Sequence, residues 1–392
     1  MDASNSAQPG AGASPASWTS RIVVLGATSI LLGVIWDISW HRTIGRDTFW
    51  TPAHLAIYLG GLLGGLTAGW LVLWTTFRGT PRERERAVRL WGFRGPLGAW
   101  VCVWGSLAML TSAPFDNWWH DAYGLDVKIL SPPHTVLALG MFGIVVGSLL
   151  LVLRDQNQAP AGTPRPGRHL VLYAGGVILA MVAVFLTEES WPNKHRNHLF
   201  YLVSCASYPL YLVAVGRASN ARWACTIAAA IYMALNCGML WFLPLFEGQP
   251  KLGPIYNPID HFVPLAFPLI LVVPALGIDL LRAAIGHGRG WLRDWVFCIL
   301  CALAFTALFG ITQWYASEFL IGPGGQNWVF GADRHWDYTE RLGPNRFRFW
   351  SETHPRGNTP ATLRTFVLAA ALALGATRIG LWIGNGMARV RR

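Results

Sequence analysis

Apolar residues dominate blocks of about 20 along this chain, the length a helix needs to cross a bilayer. Short polar segments rich in Arg, Gly and Pro separate them. Ten blocks are read, at about 20–40, 52–77, 96–114, 133–153, 169–187, 198–216, 221–243, 262–282, 292–315 and 362–386. Each predicts a helix, because a lipid-exposed segment can satisfy its backbone polar groups only within itself. Pro264, Pro268 and Pro274 fall in the eighth block and predict a kink that opens a cavity. The expected fold class is all-α, a polytopic transmembrane helical bundle. Its parts are a disordered tail at 1–17, a four-helix region at 18–155 and a six-helix region at 156–392. The long loop at 316–361, rich in Trp, Arg and Gly, is expected to fold over one face as a lid or a docking surface.

Composition supports lipid as the solvent. The 392 residues are 53% hydrophobic and 13% charged, whereas soluble domains carry about a quarter charged residues. The net charge of +11 does not indicate nucleic acid, because the basic residues sit in short loops between apolar blocks, where they set topology. With the N-terminus inside, 19 of the 31 Lys and Arg lie on the inner side. Both termini are therefore expected in the cytoplasm. All six Cys fall in apolar blocks, so no disulfide framework is implied, and Cys298-x-x-Cys301 reads as packing.

Histidine changes the picture. On that topology His41, His54, His120, His134, His195, His198, His261, His335 and His354 all fall outside, and only His169 and His287 inside. Three residues of ligand type also repeat. Asp37, His41 and His54 on the first helical hairpin recur as Asp116, His120 and His134 on the second, at offsets of 79, 79 and 80 residues. A span–loop–span unit with its polar residues in register is thus duplicated near the N-terminus.

Asp37 and His41 are four apart at a helix end and project from one face. Pro52 suits the first turn of the next helix, placing His54 just inside it, and the loop returns His54 toward Asp37 and His41. Pro132 and Pro133 do the same for His134. Two imidazoles and a carboxylate are a common donor set for a first-row transition metal with open coordination positions: copper, zinc or iron. Arg46 and Asp47 are candidates for orienting the ligands, since a ligating His donates its other N–H to a carboxylate or carbonyl. Asp121 and Asp126 are similar candidates in the second loop. Glu188, Glu189, Glu247, Asp260 and Glu318, with the remaining outer histidines, read as solvated loop or cap positions.

The run Trp40-His41-Arg42-Thr43-Ile44-Gly45-Arg46-Asp47-Thr48-Phe49-Trp50-Thr51-Pro52-Ala53-His54 closely resembles the C subunit of particulate methane monooxygenase and ammonia monooxygenase. The resemblance covers about residues 30–145. It implies copper held by Asp37, His41 and His54, and a second metal held by Asp116, His120 and His134. In the family the first residue of the second set is usually Asn; Asp116 adds a negative charge there. The family works with two other subunits, so partner chains and an oligomer are implied, as is a bacterial inner membrane.

The resemblance implies a component of a copper-dependent membrane monooxygenase that oxidises a small substrate such as an alkane or ammonia. Two alternatives stand beside it. One is a membrane copper carrier or assembly factor without turnover. The other is a zinc-dependent membrane hydrolase using metal-activated water.

Overall fold

The computed structural model describes residues 15–46, 48–123, 131–158, 167–219, 221–285, 290–350 and 359–392, except the side chains at 15–17, 120, 344 and 345. Among them, nine helices are long and apolar enough to cross a membrane. The protein is an all-α, multi-pass helical bundle. Its elements are α1 (Pro15–Thr43), α2 (Pro52–Phe77), the short α3 (Pro81–Glu85), strands β1 (Val88–Leu90) and β2 (Phe93–Gly95), α4 (Leu97–Tyr123), α5 (Pro132–Gln158), α6 (Arg168–Phe185), α7 (His198–Ser219), α8 (Ala224–Phe242), α9 (Val272–Ile285), α10 (Trp291–Ile321) and α11 (Leu363–Met387).

Helix α1 opens at Pro15, where a proline lacks only an N–H that has no helical partner. Residues 15–17 of the expected tail are therefore helical, and residues 1–14 lie outside the described residues. The eighth block is not a continuous helix. Residues 262–270 are non-helical, and only Val272–Ile285 is helical, 14 residues. Pro264 and Pro268 supply no N–H and disfavour the helical region for the residue before each. The broken backbone is tolerated because it is buried in protein: Leu269 N–H donates to Tyr232 Oη at 3.0 Å, and Val263 N–H to Thr43 Oγ1 at 2.8 Å. The stretch lines a cavity of about 40 Å³ with Trp191, Tyr208 and Asn236.

The sequence repeat is also a packing repeat. Gly26 on α1 crosses Gly60 on α2, so closely that a Cβ on Gly60 would lie 2.5 Å from Gly26 O. Their equivalents, Gly105 on α4 and Gly140 on α5, cross in the same way, at 2.7 Å. The α2–α4 contact has its counterpart in α5–α1. Gly64 and Ile144 are equivalent positions that face each other, a Cβ on Gly64 falling 2.8 Å from Ile144 Cγ2. A residue can meet its own equivalent only at an axis of symmetry, so a pseudo-two-fold runs between the two hairpins. The α1–α2 turn and the adjoining ends of α4 and α5 then lie on the same face. Gly140→Val is expected to destabilise the protein by about 3 kcal/mol, the upper range for overpacking. Gly69→Ala, where a Cβ meets nothing within 4 Å, is expected to be neutral or slightly stabilising. Thermal unfolding of the purified protein reads both.

Opposite the hairpin loops, the helix ends are tied together at several points. Ser20 Oγ donates to Asp155 Oδ2 at 2.6 Å, and Asn157 Nδ2 to Val390 O at 2.9 Å. Strands β1 and β2 form a tight hairpin on this face. Trp91 (φ 50°) and Gly92 (φ 87°) turn it; positive φ at both central residues is the type I′ turn. Trp in place of the usual Asn costs about 1–2 kcal/mol of left-handed strain.

The α1–α2 loop is covered by a cap built from 186–197, 243–261 and 322–350. Lys251 N–H donates to Ile44 O at 2.9 Å, and Tyr256 N–H to Tyr338 O at 2.8 Å. Trp336, Tyr338 and Phe349 are buried in it. The described part of the long loop is thus packed structure, and α10 runs on to Ile321, past its expected end at 315.

Candidate metal centre

Asp37 and His41 lie on the last turns of α1, and His54 on the first turn of α2. That turn is set by Thr51, an N-cap whose hydroxyl accepts from His54 N–H at 3.2 Å, followed by Pro52. The second hairpin copies this local device: Ser131 Oγ accepts from His134 N–H at 3.3 Å, and Pro132 follows.

The structure brings the first set together around the carboxylate. His54 Nε2 lies 3.1 Å from Asp37 Oδ1, and His41 Nε2 lies 3.9 Å from Asp37 Oδ2. The side chains of Asp37 and His54 are 23% and 20% exposed, that of His41 48%. His54 and Asp37 therefore form a sheltered pair and His41 an outer arm. Ligands about 2.0–2.2 Å from one ion stand about 3 Å apart, which matches the His54 arm. The His41 arm is longer, and no group of three or more His, Cys, Asp or Glu is gathered tightly enough to hold a metal ion among the described residues. In the second set His134 Nε2 is 3.6 Å from Asp116 Oδ1. The side chain of His120 lies outside the described residues.

His54 is oriented by Thr48, whose carbonyl is 3.0 Å from His54 Nδ1. A carbonyl only accepts, so Nδ1 carries the hydrogen and the Nε2 of a neutral ring presents its lone pair to Asp37. Asp37 Oδ1 is buried and, among the described residues, accepts no hydrogen bond. Two lone-pair-bearing atoms 3.1 Å apart repel unless a cation, a proton or a metal ion, lies between them. The donor set and this bare oxygen both fit a transition-metal ion.

The other candidates are placed as follows. Asp47 lies outside the described residues. Arg46 is exposed, and it is its backbone carbonyl that is used, accepting from Trp40 Nε1 at 3.0 Å. Asp121 Oδ2 accepts from Asn117 Nδ2 at 3.3 Å, while Asp126 and His354 lie outside the described residues. Glu189 pairs with Lys194, Glu318 with Arg196, and His261 with Asp260. His198 Nδ1 meets Thr365 Oγ1 at 2.9 Å.

Contacts between the hairpin and the cap had no signal in the sequence. Arg42, next to His41, spreads its guanidinium over Trp191, 4.1 Å from the ring centroid. It donates to His335 O and lies 3.9 Å from Asp337 Oδ2. Gly45 (φ 79°) passes so close to Tyr338 that a Cβ would meet its hydroxyl at 2.0 Å. The cap thus clamps the loop that carries Thr48. The Thr-Pro and Ser-Pro starts of α2 and α5 were a readable signal, being a common signature of a helix N-terminus.

No family model, curated protein or solved structure matches the chain.

Proposed function

We propose that the two hairpins are a duplicated metal site of a copper-dependent membrane monooxygenase component, similar to the C subunit of the methane and ammonia enzymes. One observation carries the reading. The buried Oδ1 of Asp37 has no hydrogen-bond donor among the described residues and stands 3.1 Å from an imidazole nitrogen whose ring partner, Nδ1, is held by a backbone carbonyl. That is how a metal-ligating His is oriented and its basicity raised.

Asp37, His41 and His54 would hold the ion at the first site; Asp116, His120 and His134 would hold it at the second. Copper bound there would supply dioxygen chemistry toward a small substrate such as an alkane or ammonia. Thr48 fixes the His54 tautomer, Thr51 holds the first turn of α2, and the cap keeps the α1–α2 loop in place through Gly45 and Arg42. On the charge distribution the sites face the outer side and both termini lie inside; the resemblance implies that the membrane is a bacterial inner membrane and that other subunits complete the enzyme.

The half-exposed side chain of His41 favours a second reading, a carrier from which copper exchanges.

The test is metal content of the purified protein with electron paramagnetic resonance of its oxidised form, in a His134→Ala background that isolates the first site. Copper is expected at one per chain, and Asp37→Asn or His41→Ala is expected to lower copper affinity at least about a hundredfold. Full occupancy in those variants would refute the ligand assignment. Rapid exchange without turnover identifies the carrier. Zinc at full occupancy with no copper signal would favour the hydrolase.

A further inference from the structure

Arg89 and Arg94 stand directly opposite each other across the β1–β2 ladder. Directly opposed residues project from the same face with Cβ atoms about 5 Å apart, and like charges so placed repel. Among the described residues no carboxylate pairs with either guanidinium. The surrounding segment adds to the imbalance: residues 78–95 contain six Arg and two Glu, a net charge of +4. Two forked cations held at this spacing match the geometry of a phosphate group, which accepts bidentate hydrogen bonds.

The hairpin tip shows where that phosphate comes from. Trp91 is 74% exposed, yet it occupies a strained left-handed position that Asn or Gly would fill without strain. Its ring packs edge-on against Trp104, 5.3 Å between centroids. Trp104 lies seven residues into α4, about 10 Å along it, and is itself exposed; α4 is apolar enough to cross a membrane, so an exposed indole at that depth is one that lipid would meet. The tip is therefore turned toward the bilayer. The hairpin is held in that pose at both edges: Arg94 N–H donates to Thr76 Oγ1 on α2 at 2.8 Å, and Trp100 Nε1 on α4 donates to Val88 O at 3.1 Å. An indole at the acyl–headgroup boundary with two arginines beside it is the arrangement of an interfacial anchor.

We propose that Arg89 and Arg94, with Trp91 seated in the interface, form a binding site for the phosphodiester of an anionic phospholipid. Binding neutralises the opposed pair, so the lipid stabilises the hairpin that joins α2 to α4.

The full-length protein in phosphatidylcholine nanodiscs, with and without phosphatidylglycerol, tests this. Phosphatidylglycerol is expected to raise the unfolding temperature of the wild type by several degrees. It is expected to leave Arg89→Glu unchanged, and native mass spectrometry is expected to show retained phosphatidylglycerol on the wild type alone. Arg89→Glu converts the opposed pair into an ion pair, so it is expected to be at least as stable as the wild type in phosphatidylcholine. Arg94→Gln serves as the second variant, with the same loss of lipid response. Equal stabilisation of wild type and both variants by phosphatidylglycerol would overturn the site. An equal rise with inorganic phosphate in pure phosphatidylcholine would overturn the lipid as its ligand.

Discussion

Acidification from about pH 7 to about pH 5 is expected to weaken the cap over the α1–α2 loop by about 3–4 kcal/mol. Two histidines carry this, and both lie outside the membrane spans. His195 is buried, with its ring stacked on Phe200 at 4.3 Å between centroids, and burial lowers its pKa to about 4. Hydrogen bonds to backbone at Ser190 and Gln313 act in the opposite direction without restoring it. His335 is buried against Trp191 and Trp336, and burial, reinforced by the positive charge of Arg42, lowers it to about 3.

Both folded values lie below the unfolded value of about 6.5, so each ring is neutral in the folded cap and takes a proton on unfolding. Stability from this source is complete above pH 6.5. It is lost as pH falls from there toward the folded values, at up to about 1.4 kcal/mol per pH unit for each histidine. His335→Gln removes one of the two titrations and keeps a polar side chain of similar reach, so it should roughly halve the pH dependence. Hydrogen exchange of 187–197 and 322–350 in metal-free protein reads the result. An unchanged slope in the variant, or protection that does not fall with pH, rejects the assignment. The effect reaches the candidate centre, because protonated His335 would confront Arg42, whose neighbour in sequence is His41.

Much of the bundle was legible because the bilayer imposes a length on every apolar segment. Eight of the ten expected blocks begin within about three residues of a helix. The two exceptions have chemical causes. In the eighth block, Pro264 and Pro268 outweigh hydropathy and keep 262–270 out of the helix. In the first, α1 starts earlier than hydropathy indicates, because Pro15 and the polar residues after it suit a first turn. The offset of Asp37, His41 and His54 from their copies pointed to the repeat. The same offset relates Gly26 to Gly105 and Gly60 to Gly140, which is the part of the repeat that fixes the helix crossings.

What one sequence does not carry is long-range pairing. Nothing near Arg42 indicates Trp191 or His335, which are about 150 and 290 residues away. The orientation of His54 depends on a backbone carbonyl, which every residue possesses, so residue type could not single out Thr48. A carboxylate such as Asp47 was the natural expectation there only because its chemistry is written in its side chain.

The largest single-residue loss of stability is expected at Asp279. Helix α8 begins after Trp223, which has no oxygen to cap it, and Asp279 on α9 does that work from a distance: Oδ2 accepts from Thr226 N–H at 2.8 Å and from Thr226 Oγ1 at 2.9 Å. A negative charge suits a helix N-terminus, where several N–H groups lack partners. Oδ1 accepts from Arg282 Nη1 at 2.6 Å, and Arg282 in turn donates to Gly216 O near the C-terminal end of α7. One buried ion pair thus terminates α7, starts α8 and ties both to α9. Asp279 is fully buried and Arg282 nearly so. Asp279→Ala leaves a guanidinium in a low-dielectric site with no counter-charge, which costs about 3–5 kcal/mol. Replacing both partners removes that unpaired charge, so Asp279→Ala with Arg282→Leu is expected to lose less than Asp279→Ala alone. Unfolding of the purified protein in detergent measures the three variants against wild type. A double variant less stable than Asp279→Ala by the full cost of Arg282→Leu would mean that the two side chains act independently, and the shared cap would have to be abandoned.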